Sequence, residues 1–227
     1  MEGLRAGIGR ILDGIDGAVW GVADLRRAIE EHPHAFAAQE VVRGFQRAVV
    51  VAVPLPRGAL CDVRNAPTPL YMHHYRQLNY LLDRLAYRIA LHLEAAGFRS
   101  VAIAASQYIA TRPRPKGHLS HKVLAYYAGL GWLGRNNLLI TPQHGPRVRL
   151  VSVLTRAPLG TAQKFCEFGC GDCRECLKAC PAGAIGETAS DYNLDACFAQ
   201  LQEFAKIRFV GQHICGLCIA ACPRAGI

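Results

Sequence analysis

Cysteine is nearly missing from the first 165 residues of this 227-residue chain: Cys61 stands alone there, and the other nine of ten lie between Cys166 and Cys222. A disulfide framework spreads its pairs along a domain, so this distribution argues against one and points to metal in a reducing compartment. An apolar leader is also lacking. The N-terminus, MEGLRAGIGRILDGID, carries Glu2, Arg5, Arg10, Asp13 and Asp16, which no secretory signal core accommodates. Long hydrophobic runs are absent too: the most apolar stretch, Ala48–Val53, stops at Pro54, far short of the roughly 20 residues a membrane helix needs. These absences lead us to expect a cytoplasmic protein without a membrane partner. No glycine fingerprint bridges a strand and a helix and no P-loop occurs, which leaves nicotinamide binding and nucleotide hydrolysis without support. Flavin and corrinoid have no short motif and stay open. No basic run exceeds the Arg26–Arg27 pair, so the formal net charge of +9 is scattered. It is unevenly placed, however: residues 1–160 hold 20 Lys and Arg against 10 Asp and Glu, and residues 161–227 hold 6 against 7. An anionic cofactor, a small anionic substrate or nucleic acid would each suit the basic part.

What is present is dominated by the tail. Cys170–Pro181, CGDCRECLKACP, places four cysteines at spacings of two, two and three with a proline after the last. In two-cluster ferredoxins three thiolates of such a run hold one [4Fe-4S] cube and the fourth completes the other. A second set follows in Cys197, Cys215, Cys218 and Cys222, the last again before a proline, Pro223. The exchange rule assigns Cys170, Cys173, Cys176 and Cys222 to one cluster and Cys180, Cys197, Cys215 and Cys218 to the other. Cys197 lies 18 residues ahead of Cys215, and a helix over Phe198–Val210 would bring it back within reach. Paired zinc sites are the competing reading of C-x2-C pairs, although zinc sites read as separated pairs. Cys166 is a spare thiol or a substitute ligand, and Cys61 an inert loop thiol. Each loaded cluster would add about two negative charges, because binding deprotonates the cysteines.

Periodicity places helices at the N-terminus and near 24–31, a central strand over Ala48–Val53, and a long helix over Tyr75–Ala96. A strand over Val101–Ala105, a basic loop at Thr111–Gly117, a helix over 119–128 and a glycine turn follow. Strands over Asn137–Thr141 and Arg147–Thr155 close the region, the second with alternating faces. The expected class is α+β: a layered α/β domain over residues 1–160, then a ferredoxin-like two-cluster domain over 161–227.

Several segments together carry a family resemblance. AVVVAVPLP (48–56), PTPLYMHHYRQLNYLLDRL (67–85), HKVLAYYAGLGWLGRNNLLI (121–140), CGDCRECLKACPAGAI (170–185) and CGLCIAACP (215–223) resemble epoxyqueuosine reductase in order and spacing, over nearly the whole chain. The resemblance implies a nitroreductase-like domain with a cobalamin beside two [4Fe-4S] clusters, and kinship with reductive dehalogenases and cobalamin-processing proteins. It implies that Gly129, Gly131, Trp132, Gly134, Arg135, Asn136 and Asn137 line the corrinoid. Tyr75 falls where the family has a tyrosine near the cofactor, and His74, His118 and His121 lie in the same regions as candidate proton donors. Two departures stand out. The family has an acidic residue just after the strand at 101–105, whereas AIAASQYIA (102–110) has none, and the family's tRNA-binding helical repeats have no counterpart before Ile227. The resemblance thus implies a reductase fed by a low-potential donor such as a ferredoxin or flavodoxin, acting on a small molecule or modified nucleoside. The alternative is a non-catalytic electron-transfer or activating protein whose N-terminal domain docks a partner.

Overall fold

In the computed structural model, residues 2–110 and 115–226 are described. The helices are α1 (Glu2–Leu12), α2 (Leu25–Glu31), α3 (Gln39–Val42), α4 (Pro69–Ala95), α5 (His121–Tyr127), α6 (Glu175–Lys178), α7 (Leu194–Ala205) and α8 (Leu217–Ala220). The strands are β1 (Val19–Asp24), β2 (Arg47–Pro54), β3 (Ser100–Ile103), β4 (Trp132–Leu133), β5 (Leu139–Ile140) and β6 (Val148–Thr155). The chain forms two compact units, each assembled from separate stretches. One comprises the chain up to Val53, Leu78–Gly131 and Arg149–Cys166; the other comprises Pro54–Gln77, Trp132–Val148 and the chain from Glu167 onward. No helix among the described residues is long and apolar enough to cross a membrane.

The first unit is built on a four-stranded sheet of order β1-β2-β6-β3. β1 runs antiparallel to β2, with Val19 opposite Ala52 and Asp24 opposite Arg47, and β3 runs antiparallel to β6, with Ser100 opposite Thr155. β2 is central, as its β-branched apolar run requires, and Val49–Ala52 are fully buried. β6 is central too. Its residues from Val151 to Thr155 are all buried, so the expected alternation of faces does not hold. The polar residues it buries are paired: Thr155 Oγ1 lies 2.8 Å from Ser100 Oγ across the ladder.

Two expected elements differ in their limits. The long helix starts at Pro69, six residues before the expected start at Tyr75. Proline suits a first helical position, and Thr68 Oγ1 takes the Tyr71 N–H at 3.1 Å as an N-cap. The helix expected after Cys197 begins at Leu194, where the Asn193 side chain caps it, so Cys197 sits within α7. Part of the expected Thr111–Gly117 loop, residues 111–114, lies outside the described residues.

Gly21 in β1 shows how closely this unit packs. A Cβ there would come within 2.3 Å of the Ala128 carbonyl oxygen, a backbone atom that cannot swing away. Gly21→Ala should lose about 1–3 kcal/mol through overpacking. The check is the urea midpoint, which should fall with the slope unchanged; an unaltered midpoint would contradict this contact.

Candidate metal centre

The cysteines of the second unit are delivered by tight turns. The Cys173 N–H bonds the Cys170 carbonyl at 3.0 Å, with Gly171 between them in the left-handed region (φ 50°). α6 carries Cys176, and the Cys180 N–H closes the loop on the Leu177 carbonyl at 3.2 Å. Cys215 precedes Gly216, whose φ of 86° admits no ordinary side chain; a Cβ there would also stand 2.8 Å from the Tyr71 ring. Cys218 rides on α8. Cys222 is held from behind, because the buried Arg147 donates to the Ala225 carbonyl at 2.9 Å and also to the Leu55 carbonyl.

These turns gather the eight cysteines in two groups. Burial first, and then the charges of Cys222, Cys170 and Cys173, push the Cys176 thiol up to about 11. Burial likewise lifts Cys215 to about 11, with Cys197 and Cys180 as its charged neighbours. Cys218 is raised well above its ordinary value by burial and then by Cys215, Cys197, Cys176 and Cys180. Cys222 therefore stands with the first three and Cys180 with the later three, and Cys218 also feels Cys176 across the groups. Among the described residues no three His, Cys, Asp or Glu side chains are gathered tightly enough to hold a single ion. Thiolates on a cube, by contrast, bind four different corners. Cys61 and Cys166 stand outside both groups, each near one carbonyl, that of Arg57 and of Gly129 respectively.

The stretch read as a glycine turn is a β-hairpin. β4 pairs β5 with Trp132 opposite Ile140, and Asn137 occupies the left-handed region at the tip (φ 55°). Gly134 is required because a Cβ would meet Ile140 Cγ1 at 2.7 Å. Gly129, in the first unit, is similarly close to Ala162 Cβ, at 3.1 Å. Both glycines thus answer to the chain's own packing. The hairpin tip reaches both cysteine groups. Arg135 donates through Nε to the Cys173 carbonyl (3.2 Å), through one terminal nitrogen to the Gly171 carbonyl (2.6 Å) and through the other to the Glu187 carbonyl (2.6 Å). Asn136 Nδ2 lies 3.5 Å from the Cys218 carbonyl.

Arg135 is 6% exposed, so its charge is costly without a nearby negative charge; the Glu187 carboxylate, 3.7 Å away, answers part of it. A cavity of about 180 Å³ opens against Cys170, Cys173, Cys176 and Cys222, and Trp132, Arg135, Asn136 and Arg224 complete its wall. Trp132 is also 6% exposed. Its Nε1 is, among the described residues, the buried side-chain nitrogen or oxygen without a hydrogen-bond partner. An unmet buried donor costs about 1–3 kcal/mol. Soft thiols, a buried cation and an unmet donor around one cavity all fit an anionic, sulfur-bearing group. In the second group the Tyr192 hydroxyl is hydrogen-bonded to Cys197, and burial raises its pKa, so it stays a donor.

The candidate proton donors are divided between the two units. His74 and the buried Tyr75 lie in the second unit, His118 and His121 in the first. His121 has both ring nitrogens engaged: Nε2 donates to the Ala104 carbonyl at 3.0 Å, which leaves Nδ1 to accept from Ser152 Oγ at 2.9 Å. Burial, followed by the charges of Arg149 and His118, pushes the ring down to about 4 against the carbonyl's opposing pull. At neutral pH it is an uncharged brace for the segment after β3. One residue went unnoticed in the linear reading. Asp83 of α4 accepts the Ala105 N–H at 2.8 Å, which brings a carboxylate to the end of β3, where the local sequence has none. Its signal was faint: Asp83 sits one turn after Asn79, which accepts from Arg149 Nε at 3.0 Å.

No protein-family model matches the chain. Over 116 residues it is 33% identical to the epoxyqueuosine reductase of Listeria monocytogenes, covering 47% of this chain and 30% of that protein. Over 156 residues it is 35% identical to the enzyme of Gloeobacter violaceus, covering 66% and 44%. The chain thus spans less than half the length of these curated relatives. Among solved structures, the epoxyqueuosine reductase of Streptococcus thermophilus superposes with a TM-score of 0.67 at 21% identity, over 100% of this chain and 66% of that one. A catabolic reductive dehalogenase in complex with 3-bromo-4-hydroxybenzoic acid superposes with a TM-score of 0.74 at 18% identity, over 99% and 31%. The fold is therefore the mixed helix-and-sheet fold shared by epoxyqueuosine reductases and reductive dehalogenases. By sequence, the chain is similar to epoxyqueuosine reductases over 47% to 66% of its length in these two comparisons.

Two expectations follow. Arg135→Gln removes the guanidinium fork from three carbonyls and should lower iron retained after reconstitution severalfold, read by iron analysis beside a thermal melt; full retention would show that the fork is dispensable. For His121, the unfolded chain takes up a proton near pH 6.5 and the folded chain only near 4. Stability should therefore fall as pH drops through that window, by on the order of 3 kcal/mol. His121→Gln should flatten that part of the profile in urea titrations at a series of pH values.

Proposed function

We propose that this chain is an iron-sulfur oxidoreductase of the epoxyqueuosine reductase kind, passing single electrons along its second unit. The observation that carries this reading is the sorting of eight cysteines into two groups of four with Cys222 and Cys180 exchanged. Cys170, Cys173, Cys176 and Cys222 would hold one [4Fe-4S] cluster, and Cys180, Cys197, Cys215 and Cys218 the other, in a ferredoxin-like arrangement. Such clusters supply storage and transfer of one electron each. The protein's own part is electrostatic: Arg135 sets a buried positive charge beside the first group and Tyr192 a phenol beside the second. Cys176 and Cys218 mark where the two groups approach.

The exposed Cys173 makes the first group the side open to a donor, of the low-potential ferredoxin or flavodoxin type, in the cytoplasm. One related reductase was solved with an epoxyqueuosine-modified tRNA stem loop, and one dehalogenase structure concerns B12-dependent dehalogenation. A modified nucleoside or a small molecule is accordingly the proposed substrate class, and cobalamin the proposed acceptor in a nitroreductase-like domain. Trp132, Arg135 and Asn136, proposed to stand beside that corrinoid, also line the cysteine cavity, and no step is placed on the corrinoid. Asp83, held at the end of β3, is the carboxylate we assign to proton supply there.

Anaerobic reconstitution should give about eight irons and eight sulfides per chain. Cys173→Ala and Cys180→Ala should each lose about half of that, and unchanged iron in Cys173→Ala would refute the ligand assignment. Cobalamin retention in the same samples decides the acceptor. Turnover of an epoxyqueuosine stem loop by wild type but not by Asp83→Asn would support the nucleoside and the acid together; cluster reduction without turnover would favour the electron-transfer role.

A further inference from the structure

We infer that the Trp132 indole N–H is a hydrogen-bond donor to a sulfur of the first cluster and that it sets that cluster's potential. This rests on the proposed cluster in the Cys170, Cys173, Cys176 and Cys222 group. Three observations converge on it. Trp132 lines the same cavity as those four cysteines. Its Nε1 is buried and, unlike the other buried side-chain donors among the described residues, has no partner. The ring is also closely packed. A Cβ on Gly169 would come within 2.8 Å of Trp132 Cζ2, and the Arg224 guanidinium, which donates to the Gly169 carbonyl at 3.4 Å, stands 5.6 Å from the ring centroid, so the indole packs directly against this segment. The backbone of Trp132 is pinned in β4 opposite Ile140. Trp132 packs in the wall of that cavity with its N–H unmet, and inorganic sulfide and thiolate sulfur both accept hydrogen bonds, so that donor is assigned to the group the four cysteines hold.

The electrical consequence has a definite sign. Reduction adds one electron and no proton to the cluster, so its negative charge grows by one. A fixed donor stabilises the more negative state more, which raises the potential. The Arg135 charge acts in the same direction, but the indole is the neutral group and can be changed without disturbing the carbonyl bonds of the Cys170–Cys173 loop.

The experiment uses the reconstituted full chain. Only two tryptophans occur, Trp20 and Trp132, and Trp20 lies in the first unit. With 15N-labelled tryptophan, the reduced cluster that disappears in Cys173→Ala should show a 15N hyperfine coupling in pulsed EPR, and Trp132→Phe should abolish it. In redox titration, Trp132→Phe should weaken reduction of that cluster about tenfold, equivalent to about 59 mV toward more negative potential. Replacing indole by the isosteric benzothiophene side chain, which keeps the shape and drops the N–H, should reproduce the shift if the phenylalanine variant folds poorly. A wild-type spectrum without 15N coupling, or an unchanged potential at full cluster occupancy, overturns the inference. Absence of any cluster in the wild type would instead overturn the functional reading on which it rests.

Discussion

A guanidinium buried among carbonyl oxygens organises the cysteine-bearing unit. Arg135 spans the Cys170–Cys173 loop and the Glu187 backbone from the tip of a two-stranded hairpin, and its neighbour Asn136 points to the Cys218 carbonyl. A carbonyl-lined guanidinium tolerates burial because its planar fork fills several acceptors at once, which a lysine could not do. The same charge then stands beside thiols that burial otherwise keeps protonated. The two effects are complementary: thiolates need positive charge nearby, and a buried cation needs negative charge nearby.

The close packing around that site also accounts for three of its glycines. Gly134 leaves room for Ile140, Gly169 for the Trp132 ring and Gly216 for the Tyr71 ring. Each removes a Cβ where an aromatic or branched side chain would otherwise be displaced.

In the first unit the polar residues at the end of β3 form a second, separate arrangement. His121 braces the Ala104 carbonyl, Asp83 holds the Ala105 N–H, and Arg149 is tied to Asn79. The helix α4 brings Asn79 and Asp83 to the sheet one turn apart, so a carboxylate absent from the strand-end sequence arrives there from 22 residues upstream. Kinship with epoxyqueuosine reductases covers less than half of those proteins, and the likeness to dehalogenases is one of fold, so the chemistry at this end of β3 has to be argued from these side chains.

Much was legible in the linear sequence because it depends on short-range spacing. The β-branched run at β2 and the apolar repeat of α4 are local patterns, and each predicted its element without reference to the rest of the chain; the cysteine spacings are equally local, and the ligand sets proposed for them rest on that spacing. The start of α4 at Pro69 lies outside the reach of local pattern, because proline reads as a breaker unless its N-cap is seen. The alternation of β6 failed because only sheet order shows that both its faces are covered. Membership of Trp132, Arg135 and Asn136 in the wall of the cysteine cavity, and the arrival of Asp83 at β3, could come only from tertiary structure. They depend on contacts between segments tens of residues apart, whose meeting is decided by packing and carries no signature in the spacing of neighbours.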